Sequence, residues 1–402
     1  MGDRRRLAPV APSVGMVGAQ VAATTPACDV VVMGAGIAGL AAATHLARAG
    51  RRVACIEPEP FPRARVGESL DWSSPWLLRR LGFRTQDLVG QGLGTYKRDI
   101  EAVSPDVATL AAHPPRLLGR RPFGATMTTV HLDRERFDLS LYERARDAGV
   151  DFVWDAITTV DVDRGRVSGC MTRSGRRIEG DWYVDASGCA RLIGRAAGIG
   201  VRDHAVPRVC LWTQVVAPRA RAGTTLSLDT TKEQLEWAWE IPLAEDRQSV
   251  GLVMPSHAFR ALERRGRSKA QILVEQLARF PRYADLEPDA LGEVRTRSYR
   301  PYVSDRVVGP NWLMAGEAAA MIDPLTSVGV TAALRNGSEA ASIIVAGSGR
   351  TGADRALAAY DRRVRGLGEL YNSAIESLSY ESGVRAAFGL RAAGLAYVIV
   401  GY

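Results

Sequence analysis

The spacing of apolar positions changes character twice within the first sixty residues. Val30 to Met33 form an unbroken apolar run of strand length between Asp29 and Gly34. From about Ile37 to Ala49 alanine and leucine recur at helical spacing, and Gly50 closes the stretch. A second apolar run, Val53 to Ile56, ends on Glu57. This order predicts a βαβ unit whose first turn reads Gly34-Ala35-Gly36-Ile37-Ala38-Gly39. The first glycine permits the tight turn, the second lets backbone approach a pyrophosphate, and the third lets the helix pack closely on the strand. The helix N-terminus offers free N–H groups and a positive dipole end to phosphate. Glu57 lies 18 residues beyond Gly39, where a carboxylate accepts hydrogen bonds from a ribose. Together these features predict a dinucleotide site.

Further along, a proline-broken loop carries Val66-Gly67-Glu68-Ser69, and a short amphipathic helix is expected over Trp76–Leu81. Thr95–Val103 reads as one strand bearing Lys97, followed by loop to about Pro122, then a strand over Thr126–Leu132. Asp133 is placed to cap a helix running to Ala148. Strands are expected at 151–154, 157–163, 166–172 and 182–185, then at 209–216, 224–228, 236–241 and 249–254. A helix over 267–279, strands within 293–307 and 311–314, a helix around 328–346 and a mostly helical 354–402 complete the pattern.

Nucleotide-binding elements therefore sit at both ends of the chain with a strand-rich insert between them. The fold class expected is α/β: a Rossmann-like, doubly wound FAD-binding domain with an inserted, mostly antiparallel substrate domain and a helical C-terminus. The boundaries expected are 28–94, 123–200 and 308–346 for the FAD domain, 95–122 and 201–307 for the substrate domain, and 347–402 for the C-terminal segment. This discontinuous layout favours FAD over NAD, because FAD is long and elements distant in sequence hold its two ends.

Composition adjusts this picture in three places. Net charge is +8, yet only Lys97, Lys232 and Lys269 of the 52 basic residues are lysines, which draws attention to each of them. The arginines are scattered, so no nucleic-acid stripe is expected, although a diffuse positive surface favours acidic partners. Five cysteines without CxxC spacing predict reduced thiols in a cytoplasmic protein and no metal site. No apolar run reaches membrane-spanning length. Residues 1–27, with Arg4-Arg5-Arg6 and the interrupting Pro9 and Pro12, are expected to be a disordered tail.

Several motifs resemble a known group. The GxGxxG turn with Glu57, the Asp133–Asp138 helix start DRERFD, Asp185-Ala-Ser-Gly188, and Gly316-Glu317-Ala-Ala with Asp323-Pro324 resemble the FAD folds of aromatic hydroxylases, geranylgeranyl reductases and flavin-dependent halogenases. Trp237-Ala-Trp239-Glu-Ile-Pro242 is similar to the halogenases' Trp-x-Trp-x-Ile-Pro, though two tryptophans on one strand face also serve as plain core. Lys97, 29 residues after Glu68, resembles their catalytic lysine. Glu236 departs from the usual glycine before the first tryptophan, and Thr326 stands where free-tryptophan halogenases carry a glutamate. The resemblance spans roughly residues 28–345, and the remaining tail is expected to add little.

The halogenase resemblance implies roles for specific residues. Gly34, Ala35, Gly36, Ala38, Gly39 and Glu57 would hold the adenosine end of FAD. Glu68, Arg134, Asp185, Gly316, Glu317, Gly329 and Val330 would lie along its flavin and phosphates. Backbone N–H groups of Val328 and Gly329 would bind chloride or bromide, and Trp237, Trp239, Pro242 and Ser327 would wall the active site. Lys97 and Glu68 would be catalytic. A separate reductase would supply FADH2, oxygen and halide would yield hypohalous acid, and Lys97 would hydrogen-bond it or become a haloamine. An amine is both donor and nucleophile, whereas a guanidinium stays protonated. The substrate implied is a phenol, pyrrole or indole in secondary-metabolite (antibiotic) biosynthesis, either free or carried on an acidic carrier protein or a peptide. Three other readings stay open: an FAD monooxygenase, including one acting on a protein side chain during quinone-cofactor maturation, a prenyl-chain reductase, and a non-enzymatic FAD-binding partner.

Overall fold

The computed structural model describes residues 28–104, 107–112, 128–216, 223–229, 231–284, 286–347 and 353–380. The expected tail and the end of the C-terminal segment, 381–402, lie outside the described residues.

The βαβ unit forms as its apolar runs dictate: β1 (Cys28–Met33), α1 (Ile37–Arg48) and β2 (Val53–Ile56), with Val30 to Met33 and all of β2 buried. Strands buried on both faces carry continuous apolar runs rather than alternation. Downstream of α2 (Ser74–Arg80) and α3 (Thr85–Gly90) come β3 (Gly94–Lys97), β4 (Ile100–Ser104), β5 (Val107–Ala112) and β6 (Thr129–Leu132). Next are α4 (Arg134–Asp147), β7 (Asp151–Val153), the antiparallel meander β8 (Ile157–Asp163), β9 (Arg166–Thr172) and β10 (Arg177–Ile178), then β11 (Gly180–Asp185). The middle of the chain holds α5 (Leu192–Ala196), β12 (Val201–Asp203), β13 (Arg208–Val216), β14 (Thr224–Asp229), β15 (Glu236–Pro242), β16 (Arg247–Pro255), α6 (Ser256–Arg264) and α7 (Lys269–Leu277). Last come β17 (Arg295–Tyr299), β18 (Tyr302–Ser304), β19 (Val308–Gly309), β20 (Trp312–Met314), β21 (Ala320–Met321), α8 (Gly329–Ala346) and α9 (Ala353–Ile375).

Six of these strands build one sheet in the order β19-β20-β11-β1-β2-β7, parallel except at the β19 edge. α1 is packed between α4 and α8. A Cβ at Gly337 of α8 would collide with the Ala38 carbonyl, so that glycine lets two helix backbones touch.

A second sheet of seven strands runs β17-β13-β16-β15-β14-β4-β5, antiparallel apart from the β14–β4 pair. Its side chains alternate by face. Val209, Leu211, Ala238, Val250, Leu252 and Met254 pack with Phe259 of α6 and Ile272, Leu273 and Leu277 of α7. The intervening Cys210, Trp212, Trp237, Trp239 and Val253 point to the other side, into a separate apolar cluster.

Four sequence expectations need correction. The expected strand over 95–103 is two strands in two sheets: β3 pairs with β6, while β4 joins β14, with Arg98 and Asp99 between them. A strand, β5, lies within the expected loop, of which residues 105–106 and 113–122 lie outside the described residues, as do the first two of the strand expected over 126–132. Helices α3 and α6 were not expected. Leu88 alone is buried on α3, and α6 follows directly on a strand, so neither offers a long periodic signal. The helix at 267–279 is shorter, starting at a capping box of Ser268 and Gln271. The Asp133 cap forms as expected, its side chain accepting from Arg136 N.

Candidate active site

A cavity of about 730 Å³ lies between the two sheets. One end of it starts at the β1–α1 turn, where Gly34 takes φ +99°. A Cβ on Gly39 would collide with the Gly34 carbonyl, which confirms tight helix–strand packing, while a Cβ on Gly36 meets nothing within 4 Å. Glu57 accepts from Ala35 N at 2.7 Å and from Glu59 N at 3.1 Å, and pairs with Arg63 at 2.7 Å.

The cavity wall continues along 66–69, a segment hydrogen-bonded to β6 through Leu132 N to the Glu68 carbonyl at 2.7 Å. Arg134 holds it from the other side, donating to the Val66 carbonyl at 2.9 Å while Asp138 neutralises its charge at 2.8 Å. Glu68 is buried, and its carboxylate accepts from Ser249 Oγ at 2.9 Å and Gly67 N at 3.1 Å. Burial pushes its pKa up, opposed by those hydrogen bonds. Trp239 Nε1 donates to the same Ser249 at 3.2 Å, tying the tryptophan wall to the glutamate. Trp237 and Trp239 share one strand face with ring centroids 5.7 Å apart, and both line the cavity.

At the opposite wall, Glu317 pairs with Arg297, and the turn Asp323–Ser327 leads into α8 with Ser327 at φ +59°. Asp323 fixes this turn: its side chain accepts from Leu325 N at 3.0 Å and from Tyr380 Oη at 2.9 Å, and its N–H donates to Asn372 Oδ1 at 3.1 Å. Asn372 and Tyr380 belong to the C-terminal segment, which contributes more than the sequence suggested.

Of the residues singled out from sequence, Gly34, Gly36, Ala38, Glu57, Glu68, Arg134, Trp237, Trp239, Gly316, Glu317, Ser327, Gly329 and Val330 line the cavity. Ala35, Gly39, Asp185, Val328 and Pro242 sit immediately behind its surface or elsewhere. Asp185 is buried and accepts from Ser187 Oγ at 2.6 Å and Ile193 N at 2.8 Å. Lys97 does not line the cavity. It is 1% exposed, its Nζ donates to the Leu70 carbonyl at 2.8 Å and lies 5.5 Å from the Trp72 ring centroid. Trp72 packs on the cluster that contains both wall tryptophans. Burial brings the Lys97 pKa down from its ordinary 10.5 to about 7, with nearby Asp71 acting in the opposite direction.

Sequence reasoning missed Arg63, Arg297, Asn372 and Tyr380. With 52 basic residues in the chain, no single arginine stands out by composition. Asn372 and Tyr380 carried no motif.

The arrangement fits FAD. Gly36 and Gly329 both line the cavity, and a side chain at either would enter open space there. At the start of α8 the buried hydroxyls of Thr326 and Thr331 have no hydrogen-bond partner among the described residues. Comparison with known proteins agrees at two levels. Residues 29–111 match the FAD-dependent oxidoreductase model, which defines the class. Residues 106–375 match the tryptophan halogenase model, and the chain belongs to that family. It is therefore an FAD- and halide-using halogenase, an oxidoreductase. A 1H-pyrrole-2-carbonyl-[peptidyl-carrier protein] brominase of Pseudoalteromonas luteoviolacea is 26% identical over 79% of this chain and 77% of its own length. The tryptophan 2-halogenase of Chondromyces crocatus is 29% identical over 78% of this chain, which spans 60% of that protein. The structure of the flavin-dependent brominase Bmp2 superposes with a TM-score of 0.77 at 21% identity, covering 94% of each chain, a likeness of fold. Among the described residues no helix is long and apolar enough to cross a membrane.

Proposed function

We propose that this halogenase installs chlorine or bromine on an electron-rich ring, a pyrrole in the first instance, delivered on an acidic carrier protein in the cytoplasm. The observation that carries this reading is the match to carrier-dependent enzymes along most of their length. Besides the brominase, a 1H-pyrrole-2-carbonyl-[peptidyl-carrier protein] chlorinase of Pseudomonas fluorescens is 25% identical over 79% of this chain and 75% of its own. Thr326 supports it, because a hydroxyl stands where the resemblance places a carboxylate in free-tryptophan enzymes.

Reduced FAD, supplied by a separate reductase, provides the electrons that activate oxygen toward halide. The chain supplies the rest. Gly34, Gly36 and Glu57 bind the adenosine end, and Arg134 sets the loop that presents Glu68. The N–H groups of Val328 and Gly329 hold halide at the start of α8. The tryptophan wall keeps the ring away from the cofactor. Lys97 receives hypohalous acid on its far side. A neutral amine reacts so that N–H and HO–X become N–X and water, and the ring then exchanges its C–H for C–X as N–H is restored. A lysine with a pKa near 7 is substantially neutral at working pH, which is what that step requires.

The test compares kcat/KM for carrier-tethered and free pyrrole-2-carboxylate with bromide. Ionic strength is varied from ~10 mM, where charges act over about 30 Å, to ~0.15 M, where they act over about 8 Å. Tethered substrate should turn over faster, with an advantage that shrinks as salt rises. Equal turnover of both forms with flat salt profiles sinks the carrier reading.

A further inference from the structure

Tyr380 is buried at the end of a π-helical turn, Glu376–Tyr380, that continues α9. Turns of this geometry recur at functional sites. Its phenol oxygen meets two partners: Asp323 Oδ2 at 2.9 Å and, in a longer and weaker bond, Trp237 Nε1 at 3.4 Å. An indole N–H only donates, so Tyr380 accepts from Trp237 and its one hydroxyl hydrogen goes to Asp323. On the other side of the ring sits Arg208, fully buried, with its guanidinium carbon 3.6 Å from the ring centroid. Burial pushes the Asp323 pKa up, and the Arg208 charge opposes that push. Asp323 in turn caps the turn Pro324–Thr326, and Ser327, Val328 and Gly329 follow directly.

A buried carboxylate is a poor neighbour for an anion. Its charge belongs to the same turn as the N–H groups of Val328 and Gly329, and like charges repel most strongly where water is excluded. We propose that Tyr380 is a positioning residue for halide. Its hydroxyl fixes the Asp323 cap, and with it the N–H groups at 328 and 329, and it masks the carboxylate from the anion they hold. The proposal rests on the halogenase reading and on that halide site. The rest of the C-terminal segment braces the tyrosine. Asn372 accepts from Asp323 N at 3.1 Å and donates to the Met321 carbonyl at 3.0 Å, and Glu376 accepts from Ala205 N at 2.8 Å at the other end of the π turn. A residue outside every sequence motif thereby joins the halide turn to the tryptophan wall.

Tyr380→Phe keeps the ring beside Arg208 and removes only the hydroxyl. Hydrogen-exchange mass spectrometry of the full FAD-loaded chain, without halide or turnover, should show faster exchange in a peptide spanning 323–330 and no change in one spanning 28–48. Unchanged exchange at 323–330 overturns the proposal whether or not the protein halogenates. In turnover, KM for bromide should rise about tenfold, the lower end of what one lost hydrogen bond to a charged group costs. KM for the ring and kcat at saturating bromide should stay at the wild-type values, a split that general loosening of the fold would not give. Asp323→Asn drops the charge and keeps an acceptor oxygen, so in that background the tyrosine substitution should cost under about threefold in bromide KM. Equal costs in both backgrounds overturn the masking role. A wild type that makes no halogenated product refutes the functional reading. A wild type that does, with an unchanged bromide KM in Tyr380→Phe, refutes this inference alone.

Discussion

Lys97 is a residue whose environment opposes its own charge. In the unfolded chain its amine titrates near 10.5, and in the folded protein near 7. Between those values the unfolded chain holds the extra proton, so stability rises with pH across that window. Below about pH 7 both states are charged and the penalty of burying an ammonium applies in full, on the order of a few kcal/mol at roughly 1.4 kcal/mol per pKa unit. Lys97→Met should therefore raise the thermal midpoint at pH 6–7 and flatten the stability profile up to about pH 10, while abolishing halogenated product and sparing oxidation of FADH2. In the wild type, halogenation should increase as pH passes upward through about 7. A methionine variant that melts lower, or that still halogenates, removes Lys97 from the mechanism. The rarity of lysine made this residue conspicuous in the sequence, but its burial against Leu70 and Trp72 depends on a strand pairing that no local pattern encodes.

Elements explain what could be foreseen and what could not. β1, α1 and β2 were legible because apolar runs, glycines and the terminal Glu57 all point to one geometry. The two tryptophans of β15 were legible as a shared face because strand side chains alternate with period two. The break between β3 and β4 was not, since it is set by remote partners: Thr224 N donates to the Asp99 carbonyl at 3.1 Å, and β14 pairs with β4. The first turn of α1 allows a sharp contrast between two glycines. Gly36 has φ −72° and ψ 178°, which any residue adopts, and faces open space. Gly39 has no room for a Cβ at all. Gly36→Val should leave the melting of FAD-free protein unchanged and abolish retained FAD. Gly39→Val should lower stability itself, by about 1–3 kcal/mol or more as overpacked cores do. Differential scanning calorimetry with flavin absorbance on both variants decides, and retained flavin in Gly36→Val is the outcome that removes this turn from the cofactor site.

At the scale of the molecule, one cavity is shared by elements from the first and last thirds of the chain. Cys189 offers a probe of its occupancy: of the five free cysteines it alone is exposed, and it lines the cavity within 3.6 Å of Glu317 Oε2. Bound FAD should slow its alkylation severalfold, measured by peptide mass spectrometry, and a rate indifferent to FAD would separate the cavity from the cofactor. The seam at Arg98 and Asp99 has a consequence of its own. The strand before it belongs with β6 beside Glu68, and the strand after it belongs with the sheet that carries the tryptophans. Lys97 is thus the last residue on one side of a two-residue hinge whose both leaves are sewn down. In the proposed mechanism the oxidant's source and its receiver are then held apart like two electrodes in a fixed cell, so their gap is a constant of the backbone rather than a variable of the substrate. Evolution toward a new ring can reshape the far compartment while the spacing that governs leakage of oxidant stays as it was.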